Sequence, residues 1–105
     1  MSLVEIRIAV PNEAVGGRIA QALINARLAA CVQQLPGLVS TYIWEERVTH
    51  ATEHLLLVKT AADRFEDVCA AVLALHPHET PEILAVPVTD ALPAYAQWVL
   101  DQTKG

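Results

Sequence analysis

Residues 29–60 constrain the fold most, because they contain two long strand-forming runs separated by only two residues. The first run, 29–44, is rich in Val, Thr, Tyr, Ile and Trp, and only Pro36-Gly37 interrupts it. A Pro-Gly pair inside a strand pattern indicates a bulge or bend. Glu45-Glu46 is then the tip of a hairpin, and the second run returns over 47–60. Each run is about twice the ~5–6 residues of an average strand, so the hairpin predicts a sheet that outgrows its own domain.

Strand and helix patterns on either side of this hairpin complete the fold. The flanking elements are a strand at 3–10, a helix opened by Asn12, a helix over 61–76, a strand at 82–88 and a terminal helix over 93–102. The order β-α-β-β-α-β plus a C-terminal helix predicts an α+β, ferredoxin-like fold with two helices on one face of an antiparallel sheet. No repeat or linker interrupts the chain, so a single domain over 1–105 is expected.

Composition indicates that this domain buries apolar surface against other chains. Of the 105 residues 53% are hydrophobic and 18% are charged, whereas soluble domains average roughly 45–50% apolar and about 25% charged. A domain this short buries only about 60–70% of its surface on folding, so its own core cannot hide the excess. No apolar stretch approaches the roughly 20 residues of a membrane-spanning helix. An oligomer without membrane insertion is therefore expected.

The apolar excess is expected on the sheet face that the two helices leave uncovered. That face is predicted to carry Val32, Val39, Ile43 and either Leu56 or Leu57. A long hairpin with an exposed edge invites aggregation unless it packs against a neighbour. A closed oligomer with sheets packed face to face satisfies both features.

Charge and motifs narrow the classes of function. The formal net charge of −5 disfavours a nucleic-acid binder. No Gly-x-Ser-x-Gly, phosphate-binding loop or His-Glu-x-x-His motif is present, so neither an enzyme nor an organic cofactor is expected. The first seven residues lack a signal-peptide layout, and Cys31 and Cys69 are too few for a disulfide scaffold. A cytoplasmic location is the resulting expectation.

His76, His78 and Glu79 form the most suggestive cluster for metal binding. Two His at i and i+2 in an extended segment project to the same side and can chelate a borderline cation. Glu79 or Glu82 can add an oxygen ligand. The alternative is that His76 caps the preceding helix and that His78 is merely exposed. Cys31 is a further metal candidate, although a buried free Cys more often packs as a small hydrophobe.

The aromatic residues of the chain are candidates for subunit contacts. Tyr42, Trp44, Tyr95 and Trp98 are expected at an interface, where Tyr and Trp are enriched. Glu82, at the start of the predicted last strand, joins them as a candidate cleft residue. In the alternative interpretation, the terminal helix with Tyr95 and Trp98 forms a lid over the cleft between subunits.

Four ordered blocks of the chain carry a family resemblance. They are Leu28-Ala29-Ala30-Cys31-Val32 with Pro36-Gly37 and Tyr42-Ile43-Trp44-Glu45, then Leu55-Leu56-Leu57-Val58-Lys59-Thr60, then His76-Pro77-His78-Glu79-Thr80-Pro81-Glu82-Ile83, and Pro93-Ala94-Tyr95-Ala96-Gln97-Trp98. Together they resemble the CutA family of divalent-ion tolerance proteins over nearly the whole chain. The third block differs from the family's His-Pro-Tyr-Glu-x-Pro-Glu-Ile signature in having His78 at the Tyr position.

The resemblance implies an assembly and a ligand. It implies a ferredoxin-like subunit in a tight homotrimer, similar in build to nitrogen-regulatory PII proteins. It also implies a role in divalent-metal tolerance and binding of copper. The positions that bind copper in some members align with Ile8, Leu75 and His76, and only His76 retains a metal-binding side chain.

These observations support two main hypotheses. The first is a non-enzymatic, cytoplasmic homotrimer that binds Cu(II) or another divalent cation through His76, His78, Glu79 and Cys31. The alternative is a PII-like signalling or adaptor trimer that binds a small anion or nucleotide in its intersubunit clefts, where Arg27, Arg47 or Lys59 would offset the acidity of the chain. A third hypothesis is a scaffold that contacts partner proteins and has no ligand.

Overall fold

The predicted order of elements is present in the computed structural model, which describes residues 2–104. The elements are β1 (Leu3–Val10), α1 (Glu13–Asn25), β2 (Cys31–Trp44), β3 (Arg47–Ala61), a 3-10 turn (Ala62–Arg64), α2 (Phe65–Leu75), β4 (Ile83–Pro87) and α3 (Pro93–Gln102). The strands form one antiparallel sheet in the order β2-β3-β1-β4. The α+β, ferredoxin-like fold with an additional C-terminal helix is therefore confirmed.

Local sequence determines where α1 begins and ends. The side chain of Asn12 accepts a hydrogen bond from the Val15 N–H at 2.9 Å, as an N-cap does. At the other end, the Leu28 N–H donates to the Leu23 carbonyl at 2.9 Å and the Arg27 N–H donates to the Ile24 carbonyl at 3.1 Å. This pair of bonds is the Schellman motif, which places Arg27 at the left-handed position, with φ of 59°.

The core lies between one face of the sheet and the first two helices. Fully buried Ile6, Ile8, Val10, Leu56 and Val58 from β1 and β3 pack against Ile19, Leu23, Val68 and Val72 from α1 and α2. Their alternation along the strands follows the period of two that a sheet covered on one face requires. Among residues 2–104, no helix is long and apolar enough to cross a membrane.

The uncovered face differs from the one predicted. Val32 pairs with Val58, which is fully buried in the helix-covered core, so its predicted place on the uncovered face was wrong. Leu56, one of the two alternatives for β3, is also fully buried in that core. Leu57, the other residue considered, lies on the uncovered face, because successive side chains of a strand alternate. Leu35 and Leu84 share that face and are 50% and 55% exposed.

The predicted bulge explains a second difference. The β2–β3 register shifts between Leu35 and Leu38, where Gly37 has φ of 78°. One extra residue in β2 reverses which side of the sheet the following side chains occupy. Val39 and Ile43 therefore lie on the same side of the sheet as α1 and α2. This part of the hairpin extends beyond both helices, so the helices do not cover these two side chains. They are 70% and 75% exposed.

Candidate functional site

His76 joins the end of α2 to the end of β1. Its side chain is buried, and its Nε2–H donates to the Ala9 carbonyl oxygen at 2.9 Å. Its Nδ1 accepts a hydrogen bond from the backbone N–H of His78 at 3.0 Å. A carbonyl can only accept and an amide N–H can only donate, so these partners define the neutral Nε2–H tautomer. Neither ring nitrogen has a lone pair free for a metal ion in this arrangement.

His78 and Glu79 are exposed directly after this anchor. The His78 ring lies 5.0 Å from the His76 ring, with the two planes tilted by 55°. Glu82 is also exposed, immediately before β4. Within residues 2–104, the structure brings no three His, Cys, Asp or Glu side chains together in a group able to hold a metal ion. Within the described residues, His78 and Glu79 are thus two neighbouring donors without a third metal-binding side chain beside them.

Cys31 lies elsewhere on the sheet. It is half-buried at the start of β2 and is opposite Lys59 of β3, whereas Ala9, which His76 contacts, is opposite Leu55. Four residues of strand separate Leu55 from Lys59, which is roughly 13 Å. The structure therefore does not bring Cys31 and His76 together within one chain.

The neighbour of Cys31 is the terminal helix. Burial raises the pKa of Tyr95, and the adjacent Cys31 thiol raises this pKa further. Tyr95 also contacts Trp98, with ring centroids 5.7 Å apart. Cys31 and Lys59 lie on the uncovered face of the sheet, since the side chain of the adjacent Val58 points into the core. Because Tyr95 of α3 contacts Cys31, α3 packs at one end of this face. This helix thus borders any contact that another chain makes with that face.

The predicted interface aromatics form two separate groups. Tyr95 and Trp98 are 39% and 43% exposed on α3. Tyr42 and Trp44 are 41% and 60% exposed near the hairpin tip, at the opposite end of β2. The two exposed groups thus lie at opposite ends of β2.

A polar cluster crosses the uncovered face. The Lys59 ammonium donates to Glu5 at 2.9 Å and to the Gln33 amide oxygen at 3.1 Å, and Arg7 Nε donates to Glu5 at 3.0 Å. The hydrogen bond from Lys59 is the largest cause of the lowered pKa of Glu5. From the sequence, Lys59 was expected only as one of three cations that could offset the acidity of the chain around an anionic ligand. The alternation of Glu5 and Arg7 along β1 is the signal that could have placed this cluster on one face.

The comparisons with known proteins agree with one another. The family model for the CutA1 divalent ion tolerance protein matches residues 4–102. The divalent-cation tolerance protein CutA of Thermus thermophilus is 44% identical over 98 residues, which cover 93% of this chain and 95% of that protein. Its solved structure matches with a TM-score of 0.95 and 42% identity, over 97% of this chain and 99% of that one.

A plant relative is longer than this chain. The chloroplastic protein CutA of Arabidopsis thaliana is 34% identical over 99 residues, which cover 94% of this chain but 54% of that protein. The chain thus spans about half the length of this relative and nearly all of the bacterial one. From the family match and these identities, the chain belongs to the CutA1 divalent ion tolerance family.

Proposed function

We propose that the chain acts as a homotrimer that binds a divalent cation between its subunits and so contributes to divalent-cation tolerance. The observation that carries this proposal is the hairpin of β2 and β3, which projects large apolar side chains beyond the core. Ile43, Val48 and Trp44 are 75%, 70% and 60% exposed there. Apolar surface of this kind marks a site of protein association. The number three comes from the family resemblance.

The proposed cation site uses donors from more than one chain. His78 and Glu79 supply exposed imidazole and carboxylate donors on one subunit. Cys31 lies at the border of the uncovered face, where a neighbouring subunit would pack. Imidazole together with thiolate suits Cu or Zn rather than Mg or Ca, so Cu(II) is the first ion to test. The proposal assigns the protein no catalytic role and no organic cofactor.

Calorimetric titration of Cu(II) into the purified protein tests the cation site. Wild type is compared with His78→Ala and with Glu66→Ala, a control that removes an exposed donor on α2, away from the hairpin. We expect His78→Ala to weaken Cu(II) binding roughly tenfold or more, because one ligand in a small set is lost, and Glu66→Ala to leave it unchanged. Equal affinity of wild type and His78→Ala would remove His78 from the site.

We also propose a cytoplasmic location for this chain. Both Cys31 and Cys69 are free thiols, which a reducing compartment preserves. Cell fractionation with an antibody against the chain tests this location, and recovery from another compartment would contradict it.

A further inference from the structure

A cavity lies between the end of α1 and the terminal helix α3. Its volume is about 360 Å³, at the lower end of the range for small-molecule sites. Ile24, Ala29 and Ala30 form its apolar wall, and the side chain of Trp98 lines it as well. Asn25, Arg27 and Gln102 supply its polar groups. None of these residues belongs to the proposed cation site.

The polar groups of this cavity are mostly hydrogen-bond donors. The Gln102 amide oxygen already accepts a hydrogen bond from Arg27 Nη1 at 2.8 Å. The Asn25 amide oxygen already accepts one from the Gln21 amide at 2.9 Å. The remaining guanidinium N–H groups, two amide NH₂ groups and an indole N–H outnumber the second lone pairs of these two oxygens. This set suits a ligand that is rich in acceptors.

Arg27 is the charged member of the set. Among residues 2–104 it forms no ion pair, as is also true of Arg18 and Arg47, but it is the cation that lines this cavity. It occupies a left-handed position, with φ of 59°, where glycine is the favoured residue. The Schellman motif that ends α1 accounts for this backbone conformation.

We propose that this cavity binds a small organic monocarboxylate with a flat apolar body. Arg27 would pair with the carboxylate through two parallel N–H groups, which is the geometry that guanidinium favours. The indole of Trp98 and the wall of Ile24 and Ala29 would contact the apolar body. The carboxyl end of α1 carries partial negative charge, which opposes an anion and opposes a doubly charged phosphate more than a monoanion.

Titration of the full chain with sodium benzoate, followed by calorimetry, tests the proposal. Sodium acetate and inorganic phosphate are the comparison ligands. We expect saturable benzoate binding at one site per chain, with acetate and phosphate each weaker, because acetate lacks the ring and phosphate lacks any apolar surface. Phosphate binding more tightly than benzoate would overturn the assignment of the ligand class.

Variants of Arg27 separate binding from folding. Arg27→Gly removes the charge and relieves the positive φ, so the folded state should be at least as stable while benzoate affinity falls roughly tenfold or more. Arg27→Lys keeps the charge but loses the paired N–H geometry, so we expect intermediate affinity. Arg18→Gln, on the exposed side of α1, is the matched control and should bind as wild type does. Benzoate binding that Arg27→Gly leaves intact, or no saturable binding by wild type, would overturn the proposal.

Discussion

The imidazole of His76 donates a hydrogen bond to the backbone carbonyl of Ala9 at 2.9 Å, which joins the end of α2 to the end of β1. The same ring accepts the N–H of His78 through its other nitrogen. Both ring nitrogens of His76, which the family resemblance suggested as a copper ligand, thus form structural hydrogen bonds in this chain. His78, which these bonds hold in place, is left as the exposed imidazole.

Replacing His76 should destabilise the fold. We expect His76→Ala to lower the free energy of unfolding by about 2–3 kcal/mol, because two hydrogen bonds are lost and a cavity is left beside β1. Denaturant unfolding at a fixed protein concentration measures this, since the stability of an oligomer depends on concentration. His78→Ala, at an exposed position, is the control and should change stability by less than about 0.5 kcal/mol. Equal stability of the two variants would contradict the structural role of His76.

The polar cluster on the uncovered face predicts a dependence of stability on pH. Lys59 and Arg7 lower the pKa of Glu5 below its ordinary value of 4.5. A carboxyl whose pKa is lower in the folded state stabilises the protein above its unfolded pKa, and this contribution is lost as pH falls through the folded pKa. Stability should therefore decrease as pH falls below about 4.5, more in wild type than in Glu5→Gln.

Thermal unfolding of both proteins between about pH 2.5 and 7 measures this difference. The expected contribution of Glu5 is about 0.5–1 kcal/mol, since its side chain is partly exposed and the pairs are screened by solvent. Parallel pH profiles for wild type and Glu5→Gln would exclude Glu5 as a source of acid sensitivity.

Two adjacent glycines of α1 should respond oppositely to alanine. A Cβ added at Gly16 would clash with the Gln34 amide nitrogen, which now bonds to the Glu13 carbonyl and to His54. A Cβ at Gly17 would meet nothing within 4 Å. Gly17→Ala should stabilise the protein by about 0.5–1 kcal/mol through helix propensity. Gly16→Ala should destabilise it by a similar amount, because the lost hydrogen bonds exceed that gain.

Denaturant unfolding of the two glycine variants beside wild type checks this contrast. Gly17→Ala is the matched control, since it has the same chemistry one residue along the same helix. Stabilisation by both substitutions would mean that Gln34 moves aside at no cost.

The exposed hairpin predicts an effect of one surface charge on assembly. Ile43 is 75% exposed and is opposite Val48, which is 70% exposed. Ile43→Lys should therefore shift the protein toward the monomer, because a charge would be buried in the proposed contact. Leu73→Lys replaces a 52% exposed apolar residue on α2 and should leave the assembly unchanged. Light scattering after size-exclusion chromatography distinguishes the two, and an unchanged mass for Ile43→Lys would place the contact elsewhere.

Local patterns predicted the elements well because each boundary has a local cause. The first strand ends before Pro11, Asn12 caps α1, and Glu45-Glu46 forms the hairpin tip as predicted. The faces of β2 and β3 were harder to predict, since one bulge reverses every side chain that follows it. The sequence located the bulge at Pro36-Gly37 but not its effect on Val39 and Ile43.

The candidate sites depended on contacts between distant parts of the chain. No local pattern shows that Ala9 occupies one ring nitrogen of His76, 67 residues later in the sequence. In the same way, Arg27 and Gln102 are 75 residues apart and meet only because α3 packs beside the end of α1. Residue types thus predicted the available chemistry, while tertiary packing determined which groups are free to bind.

The mass of the native assembly in the presence of Cu(II) tests the central claim most directly. One chain has a mass of 11.4 kDa, so native mass spectrometry should show a trimer of about 34 kDa. With Cu(II) added, we expect bound copper on the trimer of wild type and much less on the trimer of His78→Ala. A monomer of 11.4 kDa, or a trimer that takes up no copper, would contradict the account.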